Sequence, residues 1–498
     1  MKEALAVILS AMTVRYLVSL HPHSGESTPP MYGDYEAQRH WMEIAINVPI
    51  EDWYLGKTKG NDLKYWGLDY PPLSGYFAYV WGQVAERFEP EMVALIDSRG
   101  YETVSSKVFM RLTVLISDVI VYFTSAWLFS SLYRSKSTWK VLLPILLQPA
   151  LVLIDHGHFQ YNAVSLGLII WSVILIENGF DEYGTCLAVL SVCFKHLSLY
   201  FIPGFFFFLL SKILKKKKTD QVQIVSGVLG LGIMGSLTAV LCFLPLCKNS
   251  EKYLSNECKE IITSAIARLF PFERGLFEDK VANIWCALSV VLRSLRAQSI
   301  ETLVRMSLGA VIMSLLPIGV LTLSAKRSAS KSIDVLLWCL FCSSIGFFLF
   351  AYQVHEKQIL LPLLPASLLY VRGHENFSLS FGLVAAFSLF PLLRREGLAS
   401  AYFCCVLLFS ISNYFLGKSE TKRGLLFYVS LLTMGSLHVA EYTLKAPERF
   451  PHLYPLLFSV LSCVHFLIFW CYGIRSLYLE TRRDSKSDDA ALKEKKNK

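Results

Sequence analysis

Long apolar stretches recur along the chain from Ala4 to Trp470, and short polar segments separate them. A membrane-spanning helix needs about 17–25 apolar residues, because the hydrocarbon core of a bilayer is about 30 Å thick. The pattern predicts an all-α polytopic membrane protein with about fourteen transmembrane helices, at 3–20, 108–132, 141–154, 162–177, 184–195, 197–211, 222–246, 303–324, 334–352, 358–371, 376–392, 398–416, 424–443 and 452–473. Residues 283–292 are too short an apolar run for a span and favour an interfacial or re-entrant segment.

The composition supports a membrane protein. Hydrophobic residues make up 54% of the 498 residues and charged residues 17%, whereas soluble domains carry roughly 25% charged residues. The formal net charge of +9 does not indicate a nucleic-acid partner, because the basic residues cluster in short loops and in the tail, where membrane topology accounts for them. Cys247, Cys258 and Cys286 lie in a more polar region where a disulfide is possible, and their spacing leaves the pairing open.

The charged loops predict the orientation of the chain. Short cytosolic loops of polytopic proteins are rich in Lys and Arg, and a cytosolic N-terminus puts the basic segments 134–140, 212–218, 326–327, 422–423 and the tail on that side. The first loop (21–106) and the loop at 247–302 are then lumenal. We expect residues 1–473 to form one transmembrane domain and residues 474–498 a disordered cytosolic tail. Lys495 and Lys496 match a dilysine retrieval signal, which predicts the endoplasmic reticulum membrane with both termini cytosolic.

The polar motifs collect on the lumenal side of this topology. They are GDYEAQRHW at 33–41, YWGLDYPPL at 65–73, IDHGHFQYN at 154–162, the pair Lys195 and His196, the segment 270–280 and QVHEK at 353–357. Ionisable groups at membrane depth are costly and usually mark functional sites. Five separate loops that supply such groups to one face predict one shared site.

Each polar residue also has a purely structural interpretation. Asp34 precedes a helix-like run and would serve as an N-cap, and Asp69 would start a turn before the two prolines. His156 and His158 lie two positions apart, so an extended segment would offer both to a metal ion, although hydrogen-bonded loop histidines are more common. His355, with charged neighbours at the end of a predicted span, is the hardest to explain structurally.

Two further pairs of charged residues have no assigned role. Glu278 and Asp279 would bind a cation, but no third ligand is evident. Arg394 and Arg395 are basic residues on a short outer loop, against the orientation rule, and would hold lipid headgroups or a phosphate.

Together these motifs resemble the dolichyl-phosphate-glucose-dependent glucosyltransferases of the N-glycosylation pathway. The motifs at 33–41, 65–73, 154–162, 269–286 and 353–357 carry the resemblance, in order, from about residue 32 to residue 357. The sequences at 33–41 and 275–285 are more similar to those of the members that add the first glucose to the dolichyl-pyrophosphate-linked oligosaccharide with nine mannoses. The second-glucose members share similar elements and remain the alternative.

The resemblance implies a GT-C type fold whose catalytic carboxylate lies in the first lumenal loop. By motif, the base falls on Asp34, with Asp69 and His355 as supporting groups. The reaction would invert the glucose carbon, from a β-linked lipid phosphate to an α-1,3-glucoside on mannose. The candidates for binding the substrate or its phosphate are Tyr35, Arg39, His156, His158, Gln160, Lys195, Arg274 and Lys357.

One carboxylate is enough for inverting transfer, because phosphate leaves without a general acid. The expected partners are dolichyl-phosphate-glucose, the dolichyl-pyrophosphate-linked oligosaccharide and membrane lipid, and no metal or cofactor is required. A polytopic lipid or sugar transporter is the alternative from another class. Transporters tend to show internal repeats and midplane polar residues on broken helices, whereas the polar motifs here lie at the ends of spans.

Overall fold

The computed structural model describes residues 2–134, 137–216, 220–248, 255–270, 280–416 and 424–483, and within these ranges the regular structure is helical. The α-helices are α1 (Lys2–Ser19), α2 (Asp34–Asn47), α3 (Pro72–Phe88), α4 (Val104–Ser117), α5 (Thr124–Tyr133), α6 (Thr138–Leu146), α7 (Pro149–Val152), α8 (Asn162–Glu177), α9 (Asp181–Phe194), α10 (Ile202–Leu214), α11 (Gln221–Phe243), α12 (Asn256–Leu269), α13 (Ile284–Val291), α14 (Ile300–Leu323), α15 (Ile333–Phe350), α16 (Leu360–Val371), α17 (Glu375–Arg395), α18 (Ala399–Leu416), α19 (Leu425–Thr443) and α20 (Leu453–Arg482). Short 3-10 and π-helical turns join several of them.

Seven helices among the described residues are long and apolar enough to cross a membrane. They are Val104–Tyr133, His196–Leu214, Gln221–Cys247, Ile300–Leu323, Ile333–Phe350, Glu375–Arg395 and Leu453–Arg482. An eighth crossing results if Thr138–Leu146 and Pro149–Phe159, which meet at a bend of 48°, form one broken span. The protein is therefore a multi-pass membrane protein by helix length and composition, as the apolar pattern predicts.

The predicted number of about fourteen spans is not confirmed, and three of the predicted spans fold as helices that are too short to cross. The apolar stretches at 162–177, 184–195 and 358–371 fold as α8, α9 and α16, which have 16, 14 and 12 residues. At 1.5 Å per residue, α16 is only about 18 Å long, whereas the hydrocarbon core is about 30 Å thick. The segment predicted as re-entrant contains α13, whose 8 residues are likewise too few to cross.

The helices bury two main apolar cores. The larger core lies in the bundle around α15, of which 83% is buried inside the protein, whereas only 6% of the span that begins with α11 is buried. A central helix of this kind is apolar all round, since every face packs on a neighbour. The smaller core joins α2 and α3 of the first loop to residues of the bundle, among them Phe159, Tyr161 and Phe194. The first loop is therefore a folded unit seated on one end of the bundle.

A disulfide links Cys247, after α11, to Cys258, in the first turn of α12, with 5.2 Å between their Cα atoms. This resolves the pairing that the sequence left open, because the Cys286 thiol is free. The bond ties the end of a long apolar helix to the polar segment that follows it.

Candidate active site

Asp34 is the first residue of α2, and its side chain turns away from the helix. Gly33 occupies the N-cap position, and no side chain caps this helix end. A Cβ atom on Gly33 would come within 2.5 Å of the Ser24 hydroxyl oxygen, so the close approach of the two segments requires glycine. The Asp34 backbone N–H donates to that hydroxyl at 3.3 Å. The carboxylate is therefore held in place without acting as a helix cap.

The Asp34 carboxylate accepts three hydrogen bonds on one oxygen, Oδ2. The donors are His158 Nε2 at 3.0 Å, Lys357 Nζ at 2.6 Å and the side-chain amide of Gln160. The donors come from two of the polar motifs, at 154–162 and 353–357, and lie 124 to 323 positions from Asp34 in the sequence. The structure thus brings together four of the residues singled out from the sequence.

A π-helical turn at Leu153–Phe159 delivers His158 and Gln160 to this point. The turn ends at Phe159, whose φ of 91° is rare for a residue with a side chain and places local strain next to the site. The Phe159 ring is fully buried and packs edge-on against Tyr35, with 5.0 Å between ring centroids. After it, Gln160 is extended and points its amide toward Asp34.

Lys195 continues the network behind Gln160. Its ammonium group donates to Gln160 Oε1 at 2.9 Å and to Asn162 Oδ1 at 2.5 Å. Burial lowers the pKa of Lys195 to about 8, the charge of Lys357 adds to this effect, and the carboxylates of Asp155, Asp34 and Asp69 oppose it. Two lysines and three carboxylates therefore share one region, and small changes in the charge around Lys195 change its protonation.

Asp69 and His355 lie beside this network, and both are half-buried. Asp69 lies three residues before Pro72, the first residue of α3, and its charge acts on Lys195. His355 precedes the 3-10 turn Glu356–Ile359 that carries Lys357, and it lies close enough to His196 to interact with it electrostatically.

The sequence did not point to Glu396, which contacts the site through His158. Both Glu396 carboxylate oxygens lie within 2.8 Å of His158 Nδ1. The neighbouring Arg394 drew attention instead, but it pairs with Glu441 at 2.5 Å and lies over the Tyr442 ring. The polar character of this outer turn was the available signal, because the turn lies on the same predicted side as the other motifs.

Two candidates from the first motif lie in packing networks rather than on Asp34. Arg39 is fully buried and donates to Glu36 at 2.7 Å and to Glu43 at 2.8 Å. The Tyr35 ring stacks on His23, with 3.8 Å between centroids. Both side chains hold the first loop together around α2, which positions Asp34 indirectly.

His156 also lies apart from Asp34, although it is two residues from His158. It is completely buried and bonds through Nε2 to Asp118 Oδ2 at 2.9 Å, and Arg15 Nε lies 2.9 Å from the same oxygen. In the π-helical turn the two histidines therefore engage different carboxylates, and they do not present a common face as an extended segment would.

The remaining charged residues singled out from the sequence add no metal ligand among the described residues. Arg274, Glu278 and Asp279 lie outside the described residues. In the part of the chain that the structure describes, no three His, Cys, Asp or Glu side chains are grouped to hold a metal ion.

The family model of the ALG6, ALG8 glycosyltransferase family matches residues 11–472 of the chain. The chain belongs to this family. Among its relatives, a probable dolichyl pyrophosphate Man9GlcNAc2 alpha-1,3-glucosyltransferase of Dictyostelium discoideum is 38% identical, over 95% of this chain and 94% of the relative. The dolichyl pyrophosphate Man9GlcNAc2 alpha-1,3-glucosyltransferase of Gallus gallus is 39% identical over 93% of this chain and 94% of its own, and that of Saccharomyces cerevisiae is 37% identical over 96% and 92%.

The resemblance drawn from the motifs is confirmed, and the protein is a glycosyltransferase. Membership of the ALG6, ALG8 glycosyltransferase family over nearly the whole chain also decides against the transporter alternative.

The charges of the site keep the Asp34 carboxyl ionised. Burial alone would raise its pKa, but the charges of Lys357 and His158 outweigh burial and hold the pKa well below its usual range. In return, the Asp34 carboxylate raises the pKa of Lys357 against the opposing effect of burial. The Asp34 carboxylate is therefore deprotonated, and the ammonium groups of Lys357 and Lys195 lie close to it.

Proposed function

We propose that the protein transfers the first glucose from dolichyl-phosphate-glucose, in α-1,3 linkage, to dolichyl-pyrophosphate-linked Man(9)GlcNAc(2). One observation carries the proposal. The Asp34 carboxylate joins the motifs at 33–41, 154–162 and 353–357, because it accepts hydrogen bonds from His158, Gln160 and Lys357. Relatives that match more than nine-tenths of the chain bear the name of this activity.

The proposed reaction needs one base and a site for phosphate. The acceptor hydroxyl oxygen attacks glucose C1 while its proton passes to the Asp34 carboxylate. The bond from C1 to the phosphate oxygen breaks, and its electron pair leaves with the lipid phosphate, so that the configuration at C1 is inverted. Lys357, Lys195 and His355 are the groups that can meet the charge of the phosphate.

Lys357 has a different partner at each stage of this scheme. In the structure it is paired with Asp34 at 2.6 Å. A donor phosphate offers a second anion, and as Lys357 moves toward it the Asp34 carboxylate loses its largest opposing charge and becomes a stronger base. Donor binding would therefore prepare Asp34 for the acceptor hydroxyl.

The residues around Asp34 receive different roles in this proposal. Asp69, His158 and Gln160 orient the base and its neighbours, whereas Tyr35 and Arg39 hold the first loop. His156 supports the π-helical turn through Asp118. Arg274 remains a candidate for the phosphate.

We place the site on the lumenal side of the endoplasmic reticulum membrane, with both termini cytosolic and a transmembrane catalytic domain over residues 1–473. The distribution of basic loops supports this orientation. The disulfide between Cys247 and Cys258 supports it independently, because disulfides persist in an oxidising compartment. Lys495 and Lys496 of the proposed retrieval signal lie outside the described residues.

Purified protein in lipid nanodiscs, supplied with dolichyl-phosphate-glucose, tests the proposal. Two acceptors are compared, one with nine mannoses and no glucose and one that already carries a single glucose. We expect transfer to the first acceptor only, with an α-1,3 linkage in the product. Transfer only to the second acceptor would make the protein a second-glucose enzyme, and transfer to neither would overturn the assignment.

A further inference from the structure

The His158 ring lies between two carboxylates. Its Nε2 is 3.0 Å from Asp34 Oδ2, and its Nδ1 is 2.7 Å from Glu396 Oε2. The His158 side chain is 3% exposed, that of Glu396 10% and that of Asp34 25%. Asp34 is therefore the most exposed of the three side chains, and it is the end of this chain of contacts that a substrate can reach.

The backbone fixes Glu396 opposite His158. Glu396 directly follows α17. The turn there closes through the Leu398 N–H, which donates to Leu393 O at 2.8 Å. Leu398 is fully buried and seats this turn against Gly157, where an added Cβ would come within 3.0 Å of the Leu398 side chain. Gly157 therefore lets the turn that carries Glu396 lie close to the segment that carries His158.

The chemistry of imidazole defines the direction of these bonds. A carboxylate accepts but does not donate when it is ionised, so each nitrogen of His158 must carry a proton to bond both Asp34 and Glu396. With both protons present, His158 is a cation held between two anions. Glu396 has no contact with Asp34 in this arrangement, and its influence passes through the ring.

We propose that Glu396 is a positioning residue for the glucosyl transfer reaction. Glu396 holds His158 in place, and the Nε2–H of His158 orients the Asp34 carboxylate and stabilises its negative charge. The proposal rests on the proposed role of Asp34 as the base. The three donors to Asp34 occupy Oδ2, so the other oxygen, Oδ1, is the one that takes the acceptor proton. When Lys357 turns to the donor phosphate, His158 remains to keep that geometry.

Other charged groups face this chain of contacts and set the conditions of the test. Lys357 lies 3.1 Å from His158 Nε2, and its charge is itself affected by Glu356 and Glu396. Lys195 donates a hydrogen bond to Gln160, and its charge interacts with that of Asp34. Arg111 donates to Gly157 O at 2.8 Å and lies near enough to Glu396 to interact with it.

The substitution Glu396→Gln separates charge from geometry. The amide oxygen of Gln can still accept from His158 Nδ1–H, but the negative charge that favours the doubly protonated ring is gone. His158 then becomes neutral at a lower pH, and Asp34 loses one of the two charges that keep its pKa low. The acid limb of the pH–rate profile should therefore move to higher pH.

The experiment measures kcat, the KM for dolichyl-phosphate-glucose and the pH–rate profile for wild type and Glu396→Gln in nanodiscs. We expect kcat to fall about 10-fold or more, the loss typical of a disturbed acid–base group, with a KM within about twofold of wild type. Glu91→Gln is the matched control, because Glu91 is an exposed carboxylate of the first loop. It should leave kcat and the profile unchanged.

Two further variants keep the outcomes distinct. If Glu396→Gln is not recovered as folded protein, Glu396→Asp keeps the charge and should show a smaller loss in kcat with the acid limb of wild type. The double variant Asp34→Asn, Glu396→Gln should be no slower than Asp34→Asn, because Glu396 acts only through that base. A folded Glu396→Gln with wild-type kcat and profile, beside an inactive Asp34→Asn, overturns the role of Glu396 and leaves the proposed function intact. An active Asp34→Asn instead removes the proposed base.

Discussion

Replacing Asp34 by asparagine tests the proposed base with almost no change in shape. The variant removes the negative charge and the capacity to accept a proton, and its side-chain oxygen can still occupy the Oδ2 position, where His158, Gln160 and Lys357 donate. The start of α2 should not change, because the Asp34 side chain caps no helix N–H.

The magnitude follows from the two roles of the carboxylate. General base catalysis contributes about 10²–10⁴-fold, so the activation barrier should rise by about 3–5 kcal/mol at 1.36 kcal/mol per tenfold. Lys357 and His158 keep a neutral acceptor but lose their shared anion, and hydrogen bonds to a charged group contribute about 1.5–3 kcal/mol of folding free energy, part of which the variant loses. The variant should therefore be folded, less stable and nearly inactive, with donor binding retained because the lost interaction belongs to the transition state.

The assay is glucose transfer by purified protein at saturating dolichyl-phosphate-glucose, with thermal unfolding of the same preparations. Asp97→Asn is the control, because Asp97 is an exposed aspartate of the same loop, and it should match wild type in both measurements. Transfer by Asp34→Asn within about threefold of wild type, far short of the loss expected for a general base, would refute the reasoning and make Asp69 the next candidate.

Three further predictions test the charge, the disulfide and the topology. Lys357→Met removes the largest charge that lowers the pKa of Asp34, so that pKa should rise, the acid limb of the pH–rate profile should move to higher pH and the donor KM should increase; an unchanged limb would contradict the pairing. Cys258→Ser should free the thiol of Cys247 for maleimide labelling without reductant and lower stability by about 2–4 kcal/mol; equal labelling of wild type would argue against the bond. The only Asn-x-Ser/Thr sequon begins at Asn376, on the predicted cytosolic side, so endoglycosidase treatment should not change the mobility of the protein; a glycan there would overturn the orientation of the second half.

The sequence predicted the location of the site better than its internal connections. The motifs indicated that Asp34, His158, Gln160, Lys195 and Lys357 belong to one region, because charged groups near a membrane are too costly to be scattered. The structure joins all five through hydrogen bonds. Which atom bonds which depends on the π-helical turn, and no local sequence preference distinguishes that turn from an ordinary helix end.

Long-range partners were beyond the sequence pattern. Glu396 lies 238 positions from His158, and nothing in the short turn at the end of α17 marks its glutamate above the arginines before it. The same limit applies to His156, whose partner Asp118 lies in a different helix. The number of spans was uncertain for another reason, since hydropathy measures apolar length but not where a helix bends or ends.

The distance in sequence between the halves of the site has a consequence for biosynthesis. Asp34 emerges from the ribosome 323 residues before Lys357, and His158 emerges 238 residues before Glu396. While the nascent chain is incomplete, Asp34 still lacks Lys357 and His158 still lacks Glu396, and charged groups without their full set of partners favour water over a packed interior. The first loop can therefore seat on the bundle in its final arrangement only after residue 396 has been inserted, so the enzyme becomes competent late in its own synthesis.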